Sequence, residues 1–364
     1  TMACITETLG MALPGTAAIP AIHADRLRAA EASGAQAVYL AQIDYDKQLT
    51  PKKIITPASV ENALRILLAV GGSTNAIIHL TAIAGRLGIP IPLTQLNKLS
   101  DETPVLIDLK PTGDHYMEDL FKAGGLGVVL RELKPLLNAD CLNISGETLG
   151  ERLHSEPAYV DREVVRSFDQ PIQKMGGLVS LFGSLAPGGA ILKRSAADPT
   201  LFETEGKAVV FKSLEDLANR IDDPDLEVEA HDILVLQNAG PKSDAAMPEA
   251  GYLPIPKKLA QSGVKDMIRI SDARMSGTAY GTIVLHVTPE AAVGGPLALV
   301  KDGDKIKISV RNRSIDLLVD ETELENRRQN FVSNVTTKHN RGYKRLYYET
   351  VLQADGGCDF DFLR

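Results

Sequence analysis

Ile233-Leu234-Val235-Leu236 runs directly into Gln237-Asn238-Ala239-Gly240-Pro241-Lys242-Ser243, an apolar burst stopped by a glycine and proline turn. A run that short and that apolar, bounded by turn residues, reads as a buried strand rather than a long helix. The same texture recurs on both sides of it, at 178–182, 190–193, 208–211, 268–270, 282–287 and 305–310. Short strands punctuated by Gly, Pro and Asp predict a barrel or sandwich core with helical excursions.

Upstream the texture is helical. Patterns at 2–12, 22–33, 57–70 and from Met117 into the Gly124-Gly125 turn predict packed helices joined by short turns. Gly71-Gly72 breaks one of them, and Asn75 is predicted to cap a helix reaching to about Arg86. With the short apolar segment 105–109, the predicted fold class is α/β. An N-terminal α/β/α domain over 1–172, helices around a partial parallel sheet, precedes a β-barrel-like domain over 173–364 with flanking helices. Charged, helix-favouring residues return at 323–351.

A chain of 364 residues with 44% hydrophobic residues can bury a sizeable core in two domains or one large one. Its net charge of -8, with basic residues only in scattered pairs such as Lys52-Lys53 and Arg327-Arg328, argues against a nucleic-acid partner. No apolar stretch is long enough to span a bilayer and no leader pattern opens the chain, so no membrane partner is expected and cytoplasmic residence is the default. Cys4, Cys141 and Cys358 are odd in number and far apart, which fits neither a disulfide framework nor a short-spaced metal motif. Residues 1–9 read as a helix already under way, a hint of a missing front end.

Three segments are candidates for chemistry. The loop 240–251 follows a predicted strand and ends near Glu249, whose carboxylate could ligate Mg2+; taken by itself it reads rather as a solvated glutamate or helix cap. Segment 270–281 is rich in hydroxyls and small residues, so backbone can approach a ligand and Ser276 could act as base or nucleophile. Its alternative is a plain Ser/Thr-rich turn, since no Gly-x-Ser-x-Gly elbow or spaced His or Asp partner accompanies it. Gly71-Gly72-Ser73-Thr74-Asn75 opens a helix whose free amides could bind a carboxylate or phosphate, or is only a glycine break with an asparagine cap. His79 reads as a core histidine, and Asp359 with Asp361 as a solvated end.

Taken in order, these segments resemble one family across 1–363, the dihydroxy-acid, sugar-acid and 6-phosphogluconate dehydratases. The marks are Glu7-Thr8-Leu9-Gly10-Met11 with Leu13-Pro14-Gly15, then 71–75 with His79-Leu80, 108–113, Gly240-Pro241 through Met247-Pro248-Glu249, and 271–281. Ala273-Arg274-Met275-Ser276-Gly277-Thr278-Ala279-Tyr280-Gly281 and the tail 353–363 look more like the sugar-acid branch than the branched-chain amino-acid branch.

The resemblance implies a hydro-lyase that removes water from a 2,3-dihydroxy acid to give a 2-keto-3-deoxy acid, using an iron–sulfur cluster and Mg2+ in the intact enzyme. It implies that Glu249 matches a Mg2+ ligand, Ser276 the base toward the C2 proton, and Thr278 a hydroxyl orienting the substrate. A serine is a credible base only where a nearby cation lowers its pKa. It further implies that the cluster cysteines, and an Asp and a modified Lys of the Mg2+ site, lie upstream of this chain, which alone is expected to be inactive and to bind no native cluster. A homodimer or homotetramer acting on a small sugar acid or dihydroxy acid is expected. The alternatives are a dihydroxy-acid dehydratase of branched-chain amino-acid biosynthesis, a non-catalytic fragment or binding subunit without the cluster, and a Mg2+-dependent aldolase or isomerase, which would need a second carboxylate near Glu249.

Overall fold

A computed structural model describes residues 1–43, 47–155, 159–249, 253–276, 279–332 and 341–364. The chain forms two compact units. One gathers Thr1–Gly72, Leu87–Ile89 and Lys98–Gly177; the other gathers Ser73–Arg86, Pro90–Asn97 and Leu178–Arg364.

The first unit is helical. Its central helix, Pro57–Ala69, starts on a reciprocal cap: Ser59 N donates to Thr56 Oγ1 (3.2 Å) and Thr56 N donates to Ser59 Oγ (2.9 Å), with Pro57 in the first turn. Most of this helix is buried, and its polar side chains are paired inside. Asn62 donates to Asn138 O at 3.0 Å, and Arg65 reaches Glu61 at 3.0 Å and Glu102 at 2.9 Å. Ile66 and Ala69 join Leu106, Leu120, Val129 and Leu130 in the core of this unit. Glu7, also buried, accepts from Gly15 N (2.9 Å), Ala17 N (2.6 Å) and the Arg152 guanidinium, which pins the Leu13-Pro14-Gly15 turn to the helix Met2–Thr8.

Two expectations change here. The helix Ala24–Gln42 runs further than the predicted 22–33 and buries no residue, with Leu27 and Tyr39 exposed, because its alanine-rich sequence has helix propensity without an apolar stripe. The segment 105–109 forms only isolated bridges, antiparallel from Val105 to Gln173 and from Ile107 to Val165 and parallel from Leu109 to His115. Among the described residues, the parallel strands all lie in the second unit.

That unit is built on an eight-stranded sheet: β1 Val179–Leu181, β2 Gly189–Leu192, β3 Glu203–Phe211, β4 Ile233–Leu236, β5 Arg269–Ser271, β6 Ile283–Thr288, β7 Lys305–Ser309 and β8 Ser314–Leu317. The order is β1-β2-β6-β5-β4-β3-β7-β8. The run from β3 through β4 and β5 to β6 is parallel, and the flanking pairs are antiparallel. Phe182, one residue past β1, bridges Ser314, with Phe182 N donating to Arg313 O and Ile315 N donating to Phe182 O, both at 2.9 Å. First and last strands therefore meet and the sheet is a nearly closed barrel.

The strand sequences explain why they read as continuous apolar runs. Alternate residues serve two cores: Val210, Ile233, Val235, Ile270 and Val284 pack with Ile306, Ile308 and Ile315, while Val209, Phe211, Leu234, Leu236 and Leu285 pack with Leu217 of the helix Leu214–Arg220. Along β4, β5 and β6 both faces are buried, so no polar alternation is needed there.

Candidate functional site

Parallel strands deliver their carboxyl ends to one edge, where loops can converge on a ligand. The loops after β4, β5 and β6 are joined there by two buried acids. Asp272, just past β5, accepts from Ala239 N beyond β4 and from Ala291 N beyond β6, each at 2.9 Å. Burial lifts its carboxyl to about 6, opposed by those backbone donors. Glu290 accepts from Lys242 N (2.8 Å) and from Gln353 Nε2 (2.6 Å), and burial pushes it up to about 7. Gly240 lies so close beneath it that a Cβ would fall 2.3 Å from Glu290 Oε2 and 2.7 Å from Glu290 Cβ, so only glycine fits.

The loop leading to Glu249 is tightly determined. Ala246 and Met247 hold φ of 50° and 49°, left-handed conformations costing roughly 1–3 kcal/mol each in residues with a Cβ. Opposing that cost, Ala246 N donates to Ser243 O (2.9 Å), Met247 N to Gly240 O (3.0 Å), and Ser243 Oγ to Gly240 O (2.6 Å). Arg274 Nε donates to Met247 O at 3.0 Å, and the Cys358 thiol meets Met247 Sδ at 3.3 Å.

Asn75 does not cap its helix. Ser73 occupies the N-cap of Thr74–Gly85, and the Asn75 side chain, 6% exposed, turns away. Its Nδ2 donates to Glu249 Oε1 at 2.8 Å and to Met275 O at 3.0 Å, the carbonyl directly before Ser276. Both partners can only accept, which fixes which amide atom is nitrogen. Its Oδ1 is then buried without a hydrogen-bond partner among the described residues, at roughly 1–3 kcal/mol. The two sequence candidates, 27 positions apart, are thus reached by one amide. The side chains of Glu249 and Ser276 are exposed. Thr278 lies outside the described residues.

The Arg274 guanidinium lies alongside two histidines. His79, four residues along the same helix, is half-buried rather than a core histidine. Burial and Arg274 hold its imidazole below its ordinary value, with Glu249 pulling the other way. His286, buried in β6 with φ of 59°, has no partner for Nε2 and is pushed down to about 3 by burial, then Arg274 and His79. Asp359 is not a solvated end either: it is 8% exposed and takes Arg86 Nε and Nη2 at 2.7 and 2.8 Å, whereas Asp361 is exposed.

Carboxylate and hydroxyl oxygens suit a hard cation such as Mg2+, which keeps several waters and needs only one or two carboxylates. Glu249 fits one such ligand position, exposed yet held by Asn75. The cysteines do not fit a cluster. Cys4 is buried in a helix with its thiol raised mainly by burial, Cys141 lies 3.5 Å from Asn62 Nδ2 with its thiol at about 11, and Cys358 is engaged with Met247 with its thiol at about 12. Among the described residues, no three His, Cys, Asp or Glu side chains form a metal-holding group. Nor does any described helix have the length and apolarity to cross a membrane.

Local reading found the loops of Glu249 and Ser276 but not Asp272, Glu290 or Arg274. An acid directly after a buried strand, as in Ile270-Ser271-Asp272-Ala273, was the available signal.

Comparison with known proteins gives two family matches: the dihydroxy-acid/6-phosphogluconate dehydratase N-terminal model over residues 1–152 and its C-terminal counterpart over 163–358. The chain is 46% identical over 369 aligned positions to an L-arabonate dehydratase of Azospirillum brasilense, covering 99% of this chain and 62% of that protein. It is 44% identical to a 6-deoxy-6-sulfo-D-gluconate dehydratase of Pseudomonas putida, covering 100% and 62%, and 39% identical to a dihydroxy-acid dehydratase of Ignicoccus hospitalis, covering 100% and 64%. The chain spans under two thirds of the length of these relatives.

Proposed function

Because the chain belongs to the dihydroxy-acid/6-phosphogluconate dehydratase family, we propose that the protein carrying it is a hydro-lyase that dehydrates a sugar acid to a 2-keto-3-deoxy acid. The observation that carries this reading is the Asn75 amide, which reaches both Glu249 and the carbonyl before Ser276 at the carboxyl edge of the parallel strands. The higher identity to the arabonate and sulfogluconate dehydratases than to the dihydroxy-acid dehydratase supports a polyhydroxylated acid over a branched-chain one.

In this reading Glu249 supplies a carboxylate oxygen to Mg2+. Bound there, Mg2+ supplies Lewis-acid neutralisation of the charge that develops on the acid's carboxylate and favours the ionised form of a neighbouring hydroxyl. Ser276 Oγ, as the alkoxide, takes the C2 proton; the C3 hydroxyl leaves with its bonding pair and takes that one proton back as it is released as water; and the resulting enol tautomerises to the keto acid. Thr278 orients a substrate hydroxyl. The three cysteines here offer no cluster site, so an iron–sulfur cluster would take its ligands from beyond these 364 residues. A cytoplasmic homodimer or homotetramer belongs to the same proposal.

The test is 2-keto-acid formation by the full-length protein, purified without oxygen, supplied with iron, sulfide and Mg2+, and offered pentonates, hexonates and 2,3-dihydroxyisovalerate. Turnover of a pentonate or hexonate is expected, and turnover of dihydroxyisovalerate alone would give the branched-chain alternative instead. Ser276→Ala should abolish exchange of the C2 proton while leaving circular dichroism unchanged; exchange retained at the wild-type rate would remove the base role from Ser276.

A further inference from the structure

We propose that Asn75 is a positioning residue that sets the metal-facing carboxylate and the base-bearing loop in one geometry. The inference rests on the reading of Glu249 as a cation ligand and goes beyond it by naming the group that holds that ligand in place.

Glu249 and Ser276 arrive on separate loops, after β4 and after β5. A carboxylate left to itself on an exposed loop samples many rotamers, and a metal ligand must be held in one to bind tightly. The Asn75 amide, on the helix Thr74–Gly85, gives one N–H to Glu249 Oε1 and the other to Met275 O. The donor is neutral, so it orients the carboxylate without cancelling the charge a cation needs. A lysine or arginine in its place would compete with the metal for the same oxygens.

The unpartnered Oδ1 bears on this choice. A residue selected for stability alone would pair every buried polar atom, yet here the amide oxygen has no donor among the described residues while both amide hydrogens are engaged. Aspartate could not donate to either acceptor and would set two carboxylates side by side. Serine is too short to span both. The side chain therefore fits its two acceptors at the expense of its own oxygen, which is the pattern of a group kept for the geometry it imposes.

The experiment uses full-length protein and Mn2+ as the probe in place of Mg2+, with binding followed by electron paramagnetic resonance of the free ion and folding by circular dichroism. Asn75→Ala and Asn75→Leu are compared with Glu249→Gln and with the double variant Asn75→Ala/Glu249→Gln. Loss of a ligand-orienting partner is expected to weaken Mn2+ about 10–100-fold with the fold retained. Because Asn75 acts through Glu249, the double variant should bind no more weakly than Glu249→Gln alone. Wild-type Mn2+ affinity in a folded Asn75→Ala, or an Asn75 effect that adds in full to that of Glu249→Gln, overturns the proposal. If Glu249→Gln itself leaves affinity unchanged, the cation reading of Glu249 falls and this inference falls with it. If only the Asn75 variants are silent, the cation reading stands alone. Asn75→Leu guards against a folding artefact, since it keeps the side-chain size and adds no carboxylate; it too should weaken Mn2+ through the lost donors, and wild-type affinity in it would equally refute the role.

Discussion

Replacing Asp272 by asparagine tests the physics of the strand-end staple, because the variant keeps the shape and removes the titration. An amide oxygen at position 272 can accept from only one of the two donors, Ala239 N or Ala291 N, and its NH2 group faces the other. One orphaned buried N–H costs roughly 1–3 kcal/mol, nearly independent of pH. The wild-type carboxyl behaves differently. Burial lifts it from 3.8 to about 6 in the fold, so in that window the native state holds more protons than the unfolded chain, and stability falls as pH rises through it. At roughly 1.4 kcal/mol per unit, the two or so units amount to ~3 kcal/mol lost by pH 8. Glu290, lifted from 4.5 to about 7 chiefly by burial, adds a loss of the same sign over its own window in both proteins, smaller in the variant because the Asp272 charge contributes to its rise, which widens the difference in slope. Wild type should therefore exceed Asp272→Asn by roughly 1–3 kcal/mol near pH 4, and the gap should close or reverse by pH 8. Urea unfolding followed by circular dichroism at pH 4, 6 and 8 measures it. A gap that stays constant across that range would mean that Asp272 titrates normally in the fold and that the burial argument is wrong.

Gly240→Ala places a methyl group against the Glu290 side chain, at distances no real contact shows, and should destabilise by roughly 1–3 kcal/mol through overpacking; an unchanged urea midpoint would show that the loop shifts freely. Arg86→Met leaves Asp359 buried without its bidentate partner. Arg86 holds that carboxyl below its ordinary 3.8, so its contribution is present above that value and is lost as pH falls through the depressed one. Arg86→Met should lower stability at pH 7 and flatten the decline on acidification, and an acid limb as steep as that of wild type would refute the pairing.

How far the molecule was legible depends on the range of the interaction involved. β4 falls on the predicted 233–236, and the helix Pro57–Ala69 on 57–70, because buried apolar runs and N-terminal prolines act locally. β8 was missed: Ser314–Leu317 alternates half-buried and buried residues behind Arg311-Asn312-Arg313, and it takes its strand character from pairing with β7. The short helices Leu214–Arg220 and Gly125–Glu132, seven and eight residues long, were also missed, since neither spans the window over which a helical period shows. At the site, loop chemistry pointed to Glu249 and Ser276, but Asn75 looked like a cap. Its partners lie 174 and 200 residues away, a separation that no local pattern records.

The seam between Phe182 and Ser314 has a consequence for biosynthesis. The second neighbour of β1 arrives 132 residues later, from Phe182 to Ser314, and β2 waits 92 residues for β6, from Leu192 to Val284. A chain emerging from the ribosome at about 5–20 residues per second leaves those backbone edges unpaired for several seconds. Folding of this unit should thus be limited by long-range closure rather than by local helix formation. Nascent chains stalled before residue 314 would be the species most in need of a chaperone.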